Sequence, residues 1–253
     1  MSPINPSFFN RVSCVCIPTF NNNEVLKQCL NYINKLEPKF SYYVFLGSDS
    51  TDNTMEVIDY WKTLYPNTIS INFNKDRLKE PIGTYDKIAL VRQLLLEEAR
   101  KLSVDYVIFM DDDIFIANRN FIETITSFNK DIVGGAYYRE YPSGKFLSYL
   151  DVNKRSRGST TKRTHPYLLR NYLKLKLMKV VAVGGGCMCI SNKVLMDTRV
   201  NFYPIYQYCK GVNAEDYAYC LLASKYGYKV WVYDGFQICH YQIHEARSWR
   251  INK

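Results

Sequence analysis

No stretch of this chain approaches the roughly 18 apolar residues that a membrane-crossing helix needs, so no spanning segment is expected. Met1 to Asn10 is polar and proline-bearing, without the long apolar run of a secretory leader, and none is expected there. Eight cysteines are present, but no two of them form a C-x-x-C pair, which argues against a cysteine-built zinc site. The C-x-C pairs Cys14/Cys16 and Cys187/Cys189 lie in strand-like runs, where a period of two puts both thiols of a pair on one face. Buried thiols acting as small hydrophobes in a reducing compartment account for them, which places the protein in the cytoplasm. Internal repeats and low-complexity linkers are also missing, so residues 1–253 are expected to form one domain.

Acidic residues are absent from one long segment. Lys154 to Lys179 holds nine Lys or Arg and no Asp or Glu; the rest of the chain has 24 of each sign, so the net charge of +9 is local. Such a segment is either a solvated loop or a surface for an anionic partner, such as a phosphate-bearing substrate, an anionic membrane or a nucleic acid. Aromatic residues are plentiful at 15%, as packing or as stacking surfaces for flat ligands.

The first half alternates strand and helix. Val12 to Ile17 is a β-branched run stopped by Pro18. Asn21 to Asn23 then offers an N-cap to a helix carrying Val25, Leu26, Cys29, Leu30 and Ile33. Strands are expected at Tyr42 to Leu46, Ile69 to Phe73 and Tyr106 to Met110, and helices at Thr54 to Leu64 and Tyr85 to Leu102. This order implies parallel strands with right-handed crossovers, whose ligands bind beyond the carboxyl ends of the strands. The second half is less regular. It shows strand-like runs at Ile132 to Tyr138, Val180 to Val183, up to Ile190 and Val230 to Tyr233, a helix at Ala214 to Tyr226, and a loop at Lys154 to Arg163.

Asp111, Asp112 and Asp113 follow the fourth strand directly. Three adjacent carboxylates raise one another's pKa and oppose folding unless something neutralises them. A Mg²⁺ or Mn²⁺ ion held by Asp111 and Asp113, which leave the strand on the same side, would do so, with phosphate oxygens of a substrate filling the remaining positions. A solvated acidic turn is the plainer alternative.

Six segments in this order resemble the nucleotide-sugar glycosyltransferases of the GT-A type: Val12-Ser-Cys-Val-Cys-Ile-Pro-Thr-Phe-Asn21, Ser50-Thr-Asp-Asn-Thr54, Phe109-Met-Asp-Asp-Asp113, Val183-Gly-Gly-Gly-Cys-Met-Cys-Ile190, Asn213-Ala-Glu-Asp-Tyr217, and Gly227-Tyr-Lys-Val-Trp-Val-Tyr233 followed by His240. The third matches the family's Asp-x-Asp metal motif. The resemblance implies an α/β fold with a single GT-A (Rossmann-like) domain, its central, mostly parallel sheet flanked by helices. Residues up to about 115 would bind the nucleotide sugar, and residues from about 116 the acceptor.

It further implies a donor nucleoside-diphosphate sugar, with a UDP-sugar expected, and a glycan or lipid-linked acceptor; nucleic acid is not an expected partner. Pro18, Thr19, Asp49, Lys87, Arg92, Asp111, Asp112 and Gly185 would contact the donor, with only one of Lys87 and Arg92 reaching it. Asp111, Asp113 and His240 would hold Mn²⁺ or Mg²⁺, and His244 competes with His240. His165 lies in the basic segment. Asp216, with Glu215 as neighbour and alternative, would take the acceptor proton, and inversion at the anomeric carbon goes with a base at this place. Each assignment has a structural counterpart: His240 as a strand-end histidine, Glu215 and Asp216 as first-turn acids of a helix, and the glycine run as a tight bend rather than a close approach to ligand.

One departure stands out. Where many relatives carry base-binding aspartates, this chain has Gly47 and Ser48, with Asp49 just after, so the base is read by Asp49 or is not uracil. Residues 154–179 are either a lid ordering on donor binding or a peripheral contact with an anionic membrane. A nucleotidyltransferase would share the first half without needing Glu215-Asp216 and the glycine run. A nucleic-acid-binding protein would use the basic stretch with Tyr167 and Tyr172.

Overall fold

The computed structural model describes residues 11–48, 50–73, 84–141, 144–147, 149–151, 177–204 and 214–241. The chain runs β1 (Ser13–Thr19), α1 (Asn23–Ile33), β2 (Tyr42–Ser48), α2 (Thr54–Leu64), β3 (Thr68–Phe73), α3 (Thr84–Arg100), β4 (Tyr106–Met110), β5 (Ile114–Ile116), α4 (Phe121–Ser127), β6 (Ile132–Gly135), β7 (Tyr138–Tyr141), β8 (Gly144–Leu147), β9 (Tyr149–Asp151), β10 (Leu177–Val183), β11 (Cys187–Ser191), one helical turn at Asn192–Leu195, α5 (Glu215–Lys225), β12 (Val230–Tyr233) and β13 (Ile238–His240).

Nine of the described strands form one sheet in the order β3-β2-β1-β4-β11-β6-β12-β10-β9. The first four pair in parallel, and β12 runs parallel to β6. Only β11 and β10 run against the rest. The alternating first half thus builds the parallel part, as its strand–helix order requires. The less regular second half extends the same sheet with antiparallel insertions.

Helices cover both faces. Val15 and Ile17 of β1 pack with α1, α2 and α4, through residues such as Leu26, Ile58 and Phe121. Cys14 and Cys16 turn to the other face, against Leu95 and Leu96 of α3 and Tyr219 of α5. Cys187 and Cys189 likewise share one face. These four thiols are free and buried, and Cys16, Cys187 and Cys189 have pKa values raised chiefly by burial, as expected of thiols that act as hydrophobes. All five residues of β4 are buried, and so are the three of β5. Each large apolar side chain buried there contributes about 1.5–3 kcal/mol. The acidic triplet is therefore pinned between two buried strands, in a place that charge repulsion alone would vacate.

The sequence pattern misses β5 and α4 and joins β6 to β7 as one strand. The break falls at Ala136 and Tyr137, where the backbone turns away from the sheet. No described helix is long and apolar enough to cross a membrane.

Of the three asparagines at the start of α1, only Asn23, its first residue, accepts from a first-turn amide, that of Glu24 at 2.8 Å. Asn22 occupies the cap position without a side-chain cap bond. The missing acceptor comes from the next loop: Asp52 accepts from Asn23 N at 3.1 Å, and also from Thr54 N at 3.0 Å and Thr54 Oγ1 at 2.5 Å at the start of α2. Asn21, with a left-handed φ of 46°, accepts in turn from Thr51 N at 2.6 Å. The loops after β1 and β2 are thus tied together through the Asp52 carboxylate and the Asn21 amide. Burial works to raise the Asp52 pKa, but hydrogen bonds from Thr54 and Asn23 outweigh burial and hold it below the usual range. Asp52→Ala removes a cap shared by two helices and is expected to cost about 1–3 kcal/mol in urea unfolding at neutral pH. Because the folded-state pKa is depressed, this advantage is complete above the unfolded pKa of about 4 and fades as pH falls through the folded value.

Candidate active site

Asp111, Asp112 and Asp113 leave the end of β4 in three directions. Asp112 turns towards the end of β1, where Thr19 Oγ1 donates to its Oδ2 at 2.5 Å. Burial pushes its pKa up to about 6, against hydrogen bonds from Thr19 and Asn22.

Asp111 meets Arg92. The guanidinium NH2 group donates to Asp111 Oδ1 at 2.6 Å, Nε to Glu215 Oε1 at 3.0 Å, and NH1 to the carbonyl of Gly185 at 3.2 Å. The resemblance puts Arg92 on the donor side, but it does not line an open surface: it is only 4% exposed. Its neighbours at helical spacing, Ala89, Leu95 and Leu96, all face inward, and that is the available sign of its direction. Lys87, on the same helix, sits with Nζ 4.9 Å from the ring centroid of exposed Phe20, the residue after Thr19.

The glycine run explains how a guanidinium fits here. A Cβ on Gly185 would lie 2.7 Å from Arg92 Cζ, and one on Gly186 2.6 Å from Tyr137 Oη. The close approach these glycines permit is therefore to Arg92 and Tyr137, a third outcome beside a bend or a ligand contact.

Glu215 and Asp216 open α5, as their placement at its start requires. They are not equivalent. Glu215 is buried and neutralised by Arg92. Asp216 Oδ2 accepts from Gly185 N and Oδ1 from Tyr217 N, both at 2.7 Å. Burial and the Glu215 charge push the Asp216 pKa up to about 7, while Arg92 and the two amide donors act in the opposite sense. A carboxyl group at the start of a helix is usually the stronger acid; here desolvation wins.

Asp113 faces His240 across the β5–β13 ladder, in which His240 lies opposite Ile114 and Tyr241 N donates to the Asp113 carbonyl at 2.7 Å. His240 Nε2 stands 3.5 Å from Asp113 Oδ2. Tyr137, absent from the sequence-based set, stacks on the His240 imidazole with centroids 5.7 Å apart and accepts from Gly186 N at 3.1 Å. It joins the histidine to the glycine run.

Among the described residues no three His, Cys, Asp or Glu side chains gather into a metal cage. The oxygen and imidazole donors of Asp113 and His240 suit a Mn²⁺ or Mg²⁺ ion that takes its other ligands from a phosphate and water. Pro18 ends the buried run of β1 beside Thr19. Gly47 faces α2, and a Cβ there would lie 2.3 Å from Met55 Sδ, so a side chain at this position would have to displace the Met55 thioether. Asp49, His165, His244, Tyr167, Tyr172 and the basic stretch up to residue 176 lie outside the described residues.

No family model matches the chain. Abequosyltransferase RfbV of Salmonella typhimurium is 40% identical over a 70-residue alignment that takes in 24% of this chain and 21% of that protein. S. aureus TarS 1-349 in complex with UDP-GlcNAc superposes with a TM-score of 0.54 at 17% identity, over 87% of this chain and 55% of TarS. The mannosyltransferase PcManGT of Pyrobaculum calidifontis, in complex with GDP-Man and Mn²⁺, superposes with a TM-score of 0.51 at 17% identity, over 88% of this chain and 57% of its own. This chain thus spans about a fifth of the curated relative and little more than half of either solved protein. The protein has the fold of the GT-A nucleotide-sugar glycosyltransferases.

Proposed function

We propose that this protein is a glycosyltransferase that moves a sugar from a nucleoside-diphosphate sugar to a hydroxyl of a glycan or lipid-linked acceptor, with inversion and with a divalent cation. The observation that carries this is the division of labour between the two acids opening α5. Glu215 is tied up with Arg92, whereas Asp216 is held by two backbone amides beside the glycine run and has a pKa raised to about 7. A base poised near the working pH is what deprotonation of an attacking hydroxyl calls for. The molecules in complex with TarS and PcManGT, UDP-GlcNAc and GDP-Man, support a nucleoside-diphosphate sugar as donor, with a UDP-sugar the first to test.

On this reading Pro18, Thr19 and Asp49 border the base and ribose, Lys87 is the cation of α3 nearest the donor side, and the half up to about residue 115 holds the donor. Asp112 keeps Thr19 in place rather than gripping the donor itself. Asp113 and His240, with Asp111 beside them, hold the Mn²⁺ or Mg²⁺. Bound there, the cation would offset the negative charge that develops on the departing diphosphate. Asp216 takes the acceptor proton, and the half from about residue 116 shapes the acceptor site. The basic segment 154–179 rests on an anionic membrane surface at the cytoplasmic side, where each Lys or Arg contributes about 1 kcal/mol.

A thermal-shift panel of nucleoside diphosphates and their sugars, with and without Mn²⁺, tests this. At least one nucleoside diphosphate is expected to raise the melting temperature only when the metal is present, since a ligand that binds the folded state stabilises it by mass action. A shift indifferent to metal contradicts the proposal. In turnover, release of nucleoside diphosphate supports it, and release of pyrophosphate points to a nucleotidyltransferase.

A further inference from the structure

Arg92 is the most heavily engaged charged side chain near the site, yet nothing in the proposed chemistry uses it directly. Its three nitrogens contact three separate parts of the chain: the end of β4 through Asp111, the start of α5 through Glu215, and the glycine run through the carbonyl of Gly185. Glu215 and Arg92 are 123 positions apart in sequence. The two peptide groups flanking Gly185 are both fixed. Arg92 NH1 donates to the carbonyl of Gly185 itself, and Asp216 Oδ2 accepts from the Gly185 amide at 2.7 Å. The chain of contacts from Arg92 therefore ends on the carboxylate of Asp216. The room for it exists because residue 185 is glycine.

We propose that Arg92 is a positioning residue: it locks the acid pair of α5 and the glycine run to the acidic end of β4, and so fixes where the Asp216 carboxylate sits, without touching either substrate. This rests on the glycosyltransferase reading above. Simple charge neutralisation in the core would need only one cation near Glu215. Three bonds in one plane need the guanidinium fork, which lysine lacks. The groups that face Asp216 are Glu215 and Cys220 on its own helix and Arg92 from α3, with Asp111 behind Arg92. Of these only Arg92 favours the ionised carboxylate.

Arg92→Lys and Arg92→Met separate position from charge. Transfer to acceptor and donor KM are measured against pH, alongside urea unfolding. Lysine keeps a charge beside Glu215, so Arg92→Lys is expected to fold with an unmoved acid limb. Its kcat should nevertheless fall about 10–100-fold, because small misplacements of a reacting group have effects of that size. Its donor KM should stay within about threefold, since the groups set against the donor, Thr19, Lys87 and Asp113, keep contacts that do not involve Arg92. Arg92→Met should lose at least as much kcat, with the acid limb about half a unit or more higher, because the cation opposing Asp216 protonation is gone. If Arg92→Met does not fold, Arg92→Lys alone decides the matter. The assignment is overturned if Arg92→Lys turns over like the parent, or if its donor KM rises in step with the loss of kcat. A parent that releases no nucleoside diphosphate from any donor overturns the functional reading first, and this inference with it.

Discussion

Asp216→Asn is expected to lower the rate of sugar transfer about 10²–10⁴-fold, the usual contribution of a positioned general base, with little change in donor KM. Asparagine keeps the shape and cannot take a proton. In the parent, kcat/KM should rise with pH through an acid limb near 7, where Asp216 ionises. The variant should lack that limb. Stability offers a second measurement. The folded-state pKa of Asp216 lies above the value of about 4 for an unfolded carboxyl, so the folded state binds this proton more tightly. Stability then falls as pH rises from about 4 through about 7, and levels off above. The asparagine side chain has no such proton, so the variant's stability should change less over that range. Its absolute level is set partly by another effect, since one of the two amides that Asp216 accepts from must lose its acceptor. Full activity in Asp216→Asn moves the base elsewhere, and Glu215, already paired with Arg92, is poorly placed to replace it.

The parallel part of the sheet was legible because β1 and β4 are almost continuously buried runs and the helices between strands are amphipathic, two patterns that are hard to confuse. The asparagines marked the start of α1, but Pro18 does not stop β1, which pairs with β2 through Thr19. What the asparagines could not show is that the cap of α1 comes from Asp52 in the next loop, because a donor and acceptor 29 positions apart leave no local pattern. Strand order in the second half was equally hidden. Nothing in Cys187–Ser191 says that it lies between β4 and β6 and runs against both. Ile114–Ile116 is too short to show a period, and it read as a flank of the acidic triplet.

The site divides the same way. The residue types at the strand ends were visible; their partners were not. The spacing suggests that Asp111 and Asp113 share an ion while Asp112 points elsewhere; the fold turns Asp112 to Thr19, and it sets Arg92 against Asp111 and His240 against Asp113, partners that the spacing does not show. Basic residues on a helix beside a nucleotide-type sheet suggest phosphate contacts. Arg92 shows how misleading that is when the helix face is ignored: Ala89, Leu95 and Leu96 point inward, and so does Arg92, although Ile88, one turn earlier, is exposed. Tyr137 gave no signal, because its role depends on β13 returning to place His240 against its ring.

Asp113→Ala should abolish the metal-dependent part of ligand binding and lower transfer by at least about 10²-fold, the scale set by losing one electrostatic contact to developing charge. Asp113 is the member of the triplet whose direction suits this role best. Asp112 is turned to Thr19, and one oxygen of Asp111 is taken by Arg92. Asp113 keeps its carboxylate towards the imidazole of His240, 3.5 Å from Nε2, with its backbone pinned by Tyr241. The variant should fold, because β5 keeps its three buried residues and its ladder with β13. In the thermal-shift panel the parent's metal-dependent gain with a nucleoside diphosphate should vanish, while the melting temperature without ligand stays close to that of the parent. Asp112→Ala is the informative contrast. It removes the acceptor of Thr19 and should shrink the nucleotide-dependent shift while leaving what remains of it dependent on metal. If Asp113→Ala retains the metal-dependent shift and Asp112→Ala loses it, the ion is held on the Thr19 side of the triplet, and the pairing of Asp113 with His240 is structural.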